Sequence, residues 1–250
     1  MYLCISDYDG TLIKSDKTIS NYSINVINEF VKDNNFIIVS EANFDELLDF
    51  KNKYNLNIDL MSSSTGIMMI NNRIIKNEID YKKINTIITL FKDHIYTAYN
   101  DNTIYNFQER LINLYPKKYK IDNKFDSSTY INIAIDINYE KDFISFLESN
   151  DLIYNLIGKD KNRAFYNLKN DNYNKDNAYN IIKDYYKNKK TIGFSDSYSD
   201  FKLLSNLDIK VSMKNGDESL KTSCNYITEF DNNNDGLAKF LDDICHLQKV

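Results

Sequence analysis

At 250 residues the chain can bury one large core and a smaller inserted one, and its recurring isoleucine, leucine, tyrosine and phenylalanine exclude a disordered polymer despite a mean hydropathy of −0.51. A formal charge of −5 excludes a mainly electrostatic grip on nucleic acid. No apolar run reaches the roughly 18 residues of a membrane span, and the opening MYLCISDYDG lacks the regions of a secretion signal, so the expected setting is cytoplasmic, with no nucleic-acid or membrane partner.

The first elements are a strand YLCIS, a helix NYSINVINEFVKD capped by Ser20 and ended by the asparagines near 34, a strand FIIVS, a helix FDELLDFKNKY and a strand IDLMS. Short continuous apolar runs between amphipathic segments mark βαβ units and a buried parallel sheet. After residue 65 the pattern changes. IMMINNRIIK reads as a hairpin turning at Asn71-Asn72, followed by a helix YKKINTIITLFKD and strands IYTAY and TIYNF about a turn at Asp101-Asn102. The basic stretch YPKKYK, with the only proline, Pro116, leads to a strand YINIAIDI, a helix EKDFISFLES and strands LIYNLIG and RAFYNL. Lys159, Lys161, Arg163 and YPKKYK read as solvated surface, with a face toward an anionic substrate as the alternative.

Hairpins with two helices on one face predict an inserted α+β domain over 80–168. The flanking segments, 1–79 and 169–250, then form one Rossmann-like α/β core. Its pattern resumes with a helix NAYNIIKDYYKN, a strand TIGFS, a helix FKLLSNL, a strand IKVSM and a final helix GLAKFLDDICHL. The run DNNND at 231–235 reads as a polar loop.

Three cysteines, Cys4, Cys224 and Cys245, have no CxxC spacing and read as incidental thiols in a reducing compartment. The two histidines, His94 and His246, read as surface or satisfied side chains, which leaves the chemistry to carboxylates.

Asp7 and Asp9 end the first strand and face the same way if it continues, so their charges repel unless a cation lies between them. Gly10 follows, where the chain must turn sharply and bring backbone amides near a ligand. Ligands of open α/β sheets bind beyond the carboxyl ends of strands. Asp7 to Thr11, Ser40 and Ser195 to Asp200 fall at such ends, and Lys175 starts the helix leading into the third. Carboxylates for a hard cation, donors for an anion and one positive charge suit a metal-bound phosphate.

These four segments resemble the motifs of the haloacid dehalogenase (HAD) superfamily. DYDGTL looks like DxDGT[LV], Ser40 after FIIV like the second motif, Lys175 like the third, and FSDSYSD like GDGxND. MKNGDESLKTSCNYIT and DGLAKFL are similar to the closing segment, and the position of the insertion is similar to the Cof-like branch with its α/β cap. The resemblance implies a magnesium-dependent phosphatase acting on small phosphate monoesters, such as sugar or cofactor phosphates. It assigns Asp7 as nucleophile through an aspartyl-phosphate and Asp9 as general acid and base. Thr11, Ser40 and Lys175 would bind phosphate, Mg2+ would be held by Asp7, the carbonyl of Asp9 and Asp196, and Asp200 would be an outer ligand. Two departures stand out. Glu41-Ala42 replaces a Gly-Arg pair, and Ser195, Ser197 and Ser199 replace Gly, Gly and Asn. A sugar phosphomutase and a catalytically silent binding protein are the alternatives. The expected partner is a small phosphorylated metabolite, and the expected state is a monomer or small homo-oligomer.

Overall fold

The computed structural model describes residues 1–100, 103–106, 120–121, 124–125, 128–170 and 173–247. It divides into two compact units, Met1–Ile75 with Asn172–Val250, and Lys76–Asp171. The second unit extends beyond the 80–168 of the sequence pattern. Ile79 joins its core, and Asn170 Nδ2 bonds Asn77 Oδ1 at 3.2 Å, tying its two ends together.

In the first unit the chain forms β1 (Tyr2–Ser6), α1 (Asn21–Phe30), β2 (Asn35–Ser40), α2 (Phe44–Lys53), β3 (Asp59–Ser62), β4 (Ile67–Ile70) and β5 (Arg73–Lys76). Beyond the second unit it continues with α5 (Ala178–Ile182), β12 (Lys190–Ser195), α6 (Phe201–Leu204), β13 (Ile209–Ser212), α7 (Glu218–Ser223), β14 (Tyr226–Ile227) and α8 (Gly236–Leu247). The sheet order is β14-β13-β12-β1-β2-β3-β4-β5. The six strands from β14 to β3 are parallel, and β4 runs antiparallel to β3. The core is therefore a parallel α/β sheet. β1 lies at its centre between β2 and β12, so the two halves of the chain meet at its carboxyl end, the switch point where such sheets bind ligands.

Both faces of the sheet are covered. Cys4 packs into one apolar cluster with residues of α1, α2 and α8, while Leu3 and Ile5 enter another with Ala178, Ile182, Leu203 and Leu204. Apolar strands buried on both sides account for the unbroken runs in the sequence. α1 buries Ser23, Val26, Ile27 and Phe30 at helical spacing, and Ser20 accepts the N–H of Ser23 as its cap. It stops at Phe30, short of the expected Asp33, and the Phe30 carbonyl accepts both the N–H and the Nδ2 of Asn34 at 3.1 Å. Asn71 and Asn72 have φ of 50° and 61°, the paired positive values of a tight hairpin turn between β4 and β5.

The expected helix NAYNIIKDYYKN is α-helical only over Ala178–Ile182, with 3-10 turns at Lys175–Asn177 and Lys183–Tyr185. Tyr186 is turned inward after it, and its buried hydroxyl donates to Asp59. The 231–235 segment is a polar loop with a binding task inside the fold. Asn232 Nδ2 donates to the carbonyl of Ile13 at 3.0 Å, and Asn233 Oδ1 accepts the N–H of Ser15 at 3.0 Å. Cys4 is buried, Cys224 is half-buried, and both are free thiols.

The second unit contains α3 (Tyr81–Leu90), β6 (Ile95–Tyr99), β7 (Thr103–Asn106), β8 (Lys120–Ile121), β9 (Tyr130–Asp136), α4 (Glu140–Ser149), β10 (Tyr154–Lys159) and β11 (Arg163–Lys169). Its sheet order is β10-β11-β9-β6-β7-β8, antiparallel except for the β7–β8 pair. Alternate residues of β11, Ala164, Tyr166 and Leu168, meet Ile84, Ile87 and Ile88 of α3 and Phe143 and Leu147 of α4 in one core. Glu140 accepts from Lys159 Nζ at 2.7 Å and from the Tyr166 hydroxyl, and His94 stacks on Tyr139. The stretch at 115–119, with Pro116, the turn at 101–102 and the side chains of Cys245 and His246 lie outside the described residues. Among the described residues no helix is long and apolar enough to cross a membrane.

Candidate active site

Asp7 lies one residue past β1, and its N–H still bonds the carbonyl of Phe194 in β12 at 3.0 Å. Its backbone is thus fixed by the sheet. A cleft of about 510 Å³ opens there, lined by Asp7, Asp9, Ser40, Lys175, Asp196 and Asp200, together with Lys17, Glu41, Ala42, Glu46, Ser197 and Ser199. Six of the seven residues singled out from the sequence line it directly. The seventh, Thr11, is buried and reaches it through Asp196, donating from Oγ1 to Oδ1 at 3.1 Å.

Lys175 is the link between the two strand ends. Its Nζ lies 2.7 Å from Asp7 Oδ1 and 2.8 Å from Asp200 Oδ2, in a position where only 15% of the side chain is exposed. Burial opposes its charge, but the two carboxylates and their hydrogen bonds more than offset this and hold the ammonium above its ordinary value. Burial pushes Asp7 up to about 6; Lys175 lowers it and the charge of Asp200 raises it. Asp196 is also raised, by burial first, against the Thr11 hydrogen bond.

The serines of the fourth segment have structural roles. Ser195 Oγ donates to Asp200 Oδ2 at 2.6 Å, and its oxygen accepts the N–H of Ser197 at 3.1 Å. Asp200 is only 2% exposed, so Ser195 and Lys175 supply the bonds that its charge requires. Ser40 is buried at the end of β2, and its oxygen accepts the N–H of Ala42 at 3.0 Å. Glu41 is exposed at the cleft.

Gly10 has φ +70°, a conformation that side chains rarely adopt. A Cβ there would overlap Asp196 Oδ2 and stand 2.8 Å from its carboxyl carbon. The glycine therefore serves both the turn and the approach of Asp196.

Three contributors were missed in the sequence. Asn215 Nδ2 donates to the Gly10 carbonyl at 2.8 Å, while Asp217 gives its N–H to the Asp196 carbonyl at 2.9 Å and accepts the N–H of Tyr198 at 2.8 Å. Both follow β13, so the strand-end rule applied to MKNGD would have found them. The third, Lys17, contacts Asp9 from a loop with no motif.

A cluster of acids around one buried lysine lies at the switch point of a parallel sheet, where folds of this class bind their ligands. The model of haloacid dehalogenase-like hydrolases matches residues 4–241, and the chain belongs to that family. Solved structures share the fold across nearly the whole chain. One from Thermotoga maritima is 18% identical with a TM-score of 0.72, covering 97% of each chain. A haloacid dehalogenase-like hydrolase from Bacteroides thetaiotaomicron is 16% identical with a TM-score of 0.70, covering 97% of this chain and 99% of its own. A further protein from that organism, described among the phosphatases of the superfamily, is 16% identical with a TM-score of 0.69, covering 98% and 95%. At these identities the likeness is one of fold. No curated protein matches the sequence.

Proposed function

We propose that this protein is a Mg2+-dependent phosphatase that hydrolyses small phosphate monoesters of metabolites through an aspartyl-phosphate on Asp7. The observation that carries this reading is the convergence of Asp7, Lys175, Asp196 and Asp200 at one strand end, with Ser40 and Asp9 in the same cleft.

The donor set fits a divalent cation. Asp7, Asp196 and Asp200 carry three negative charges when ionised against the one positive charge of Lys175, and burial raises both Asp7 and Asp196. All donors are oxygens, the choice of a hard cation. Among the described residues no three acidic, histidine or cysteine side chains form a cage alone. Asp7, Asp196 and the carbonyl of Asp9 would hold the ion, with Asp200 outside them, bonded to Lys175 and Ser195. Bound there, the ion would neutralise the charge that otherwise keeps a carboxylate and a phosphate apart.

An oxygen of Asp7 attacks phosphorus as the bond to the ester oxygen breaks, and Asp9 gives its proton to that oxygen as it leaves. Asp9 then takes a proton from water, which attacks phosphorus and breaks the bond to Asp7, releasing inorganic phosphate and restoring the Asp7 carboxylate and the protonated Asp9. Lys175 and the hydroxyl of Ser40 meet the charge on the transferring oxygens. Thr11 acts at one remove by fixing Asp196.

The test is phosphate release from a panel of sugar, nucleotide and cofactor phosphates by wild type and Asp7→Asn, with Mg2+ and with chelator. Release that needs the metal and is lost in the variant supports the reading. A folded wild type that releases phosphate from none of them overturns it.

A further inference from the structure

We infer that Lys17 is a positioning residue for Asp9, an inference that rests on the phosphatase reading above. The four aspartates that line the cleft are not equally fixed. Asp7 is held by Lys175, Asp196 by Thr11, and Asp200 by Ser195 and Lys175. The side chain of Asp9 is 51% exposed, and its Oδ1 is held by the ammonium of Lys17. A group that must hand a proton to one particular oxygen loses rate when its rotamer is free, so a tether on the exposed carboxylate has chemical value.

The backbone at position 17 gives independent support. Seven non-glycine residues among those described have positive φ; six are asparagine or aspartate, and the seventh is Lys17 at 64°. Asn and Asp tolerate this conformation better than a long side chain does. In a chain that meets the requirement elsewhere with short polar residues, a lysine at this position runs against local backbone preference. The loop around it is well braced. Lys14 N bonds Thr18 O and Lys17 N bonds Lys14 O, both at 2.9 Å, Thr18 N bonds Asp16 Oδ1 at 3.0 Å, and Ser15 is anchored to Asn233. The loop presents Lys17 to the cleft that Asp9 and Glu46 also line.

Stability does not account for the lysine. Its side chain is 63% exposed, and ion pairs this open to water contribute little. A tether for Asp9 accounts for residue type, backbone and contact together.

The test compares wild type, Lys17→Asn and Lys17→Arg on the most reactive sugar phosphate of the panel and on p-nitrophenyl phosphate, whose leaving group needs little protonation. The expected result for Lys17→Asn is a fall in kcat/KM of about three- to fivefold on the sugar phosphate, the scale of an exposed ion pair, and no fall on the aryl ester. Lys17→Arg recovers most of the loss, and Lys17→Asn melts at or above the wild-type temperature because Asn suits the backbone. No loss, equal losses on both esters, or a loss accompanied by a lowered Tm overturns the inference while leaving an active phosphatase. An inactive wild type overturns the phosphatase reading instead. The contact is then decided by the carboxyl carbon resonance of Asp9 in 13C-labelled protein, assigned with Asp9→Asn. A resonance moved by Lys17→Asn supports the tether, and an unmoved one overturns it.

Discussion

Gly10 and Asp196 occupy adjoining space across 186 positions of sequence: the carboxylate of Asp196 fills the place where a Cβ on residue 10 would project. The glycine of the first segment thus admits the acid of the fourth. This relationship joins the two halves of the core at the candidate active site.

Gly10→Ala is expected to disturb both the turn and the acid. An alanine at φ +70° costs about 1–2 kcal/mol, and the overlap pushes Asp196 from its bond to Thr11. Under the proposed function, displacing Asp196 by about 1 Å is expected to cost about a hundredfold in rate. Urea denaturation and phosphate release would check the two effects, and a variant with wild-type stability and rate would refute the packing argument.

Ser195→Ala removes the donor to Asp200, a carboxylate only 2% exposed. An unsatisfied buried acceptor costs about 1–3 kcal/mol, and Lys175 alone then holds the group. The expected outcome is a loss of stability in that range with a smaller loss of activity than Asp7→Asn, measured by denaturation and turnover. A glycine at this position, as in the family pattern, could not supply the bond.

Tyr186→Phe probes the opposite end of the sheet. Asp59 starts β3 and accepts from the buried Tyr186 hydroxyl, while its Oδ1 takes the N–H of Asn71 at 2.8 Å. A hydrogen bond to a charged group contributes about 1.5–3 kcal/mol. The variant is expected to lose about that much stability in denaturant, with kcat and KM unchanged. A change in turnover would contradict the separation of this bond from the cleft.

What was legible in the sequence was what repeats locally. The apolar runs of β1, β2 and β12 announce a buried parallel sheet, and EKDFISFLES is helical over Glu140–Ser149, the stretch its spacing predicts. The strand-end rule brought Asp7, Ser40 and Asp196 to one cleft because the sheet itself aligns those ends. What was hidden depends on contacts across the fold. The shortened α5 ends in a segment that turns Tyr186 toward Asp59, 127 positions away, and Ile79 joins a core assembled from strands far along the chain. Asn215 reaches Gly10 across 205 positions, a pairing no local pattern records. Lys17 lies only 8 positions from Asp9, yet the positive φ that turns its loop has no signature in a lysine.

The buried acids also predict how stability responds to pH without metal. Burial raises Asp7 from 3.8 to about 6, so the folded state favours the protonated carboxyl more than the unfolded chain does. The stability it contributes is complete below about pH 4 and is lost as pH rises through about 6; the gap between 3.8 and 6 corresponds to about 3 kcal/mol. Asparagine keeps the shape without the titration, so the difference between wild type and Asp7→Asn isolates this group from carboxylates of opposite sign, such as Asp208, which its bonds to Thr191 hold low. In chelator, wild type should weaken relative to Asp7→Asn between pH 4 and about 6.5. Added Mg2+ should reverse the trend, because a cation binds the ionised form and stabilises the fold that holds it. Denaturation curves at each pH, with and without the metal, would measure both effects. A wild-type to variant difference that stays flat in chelator would refute the burial of an ionisable Asp7, and one indifferent to Mg2+ would refute its place beside a cation.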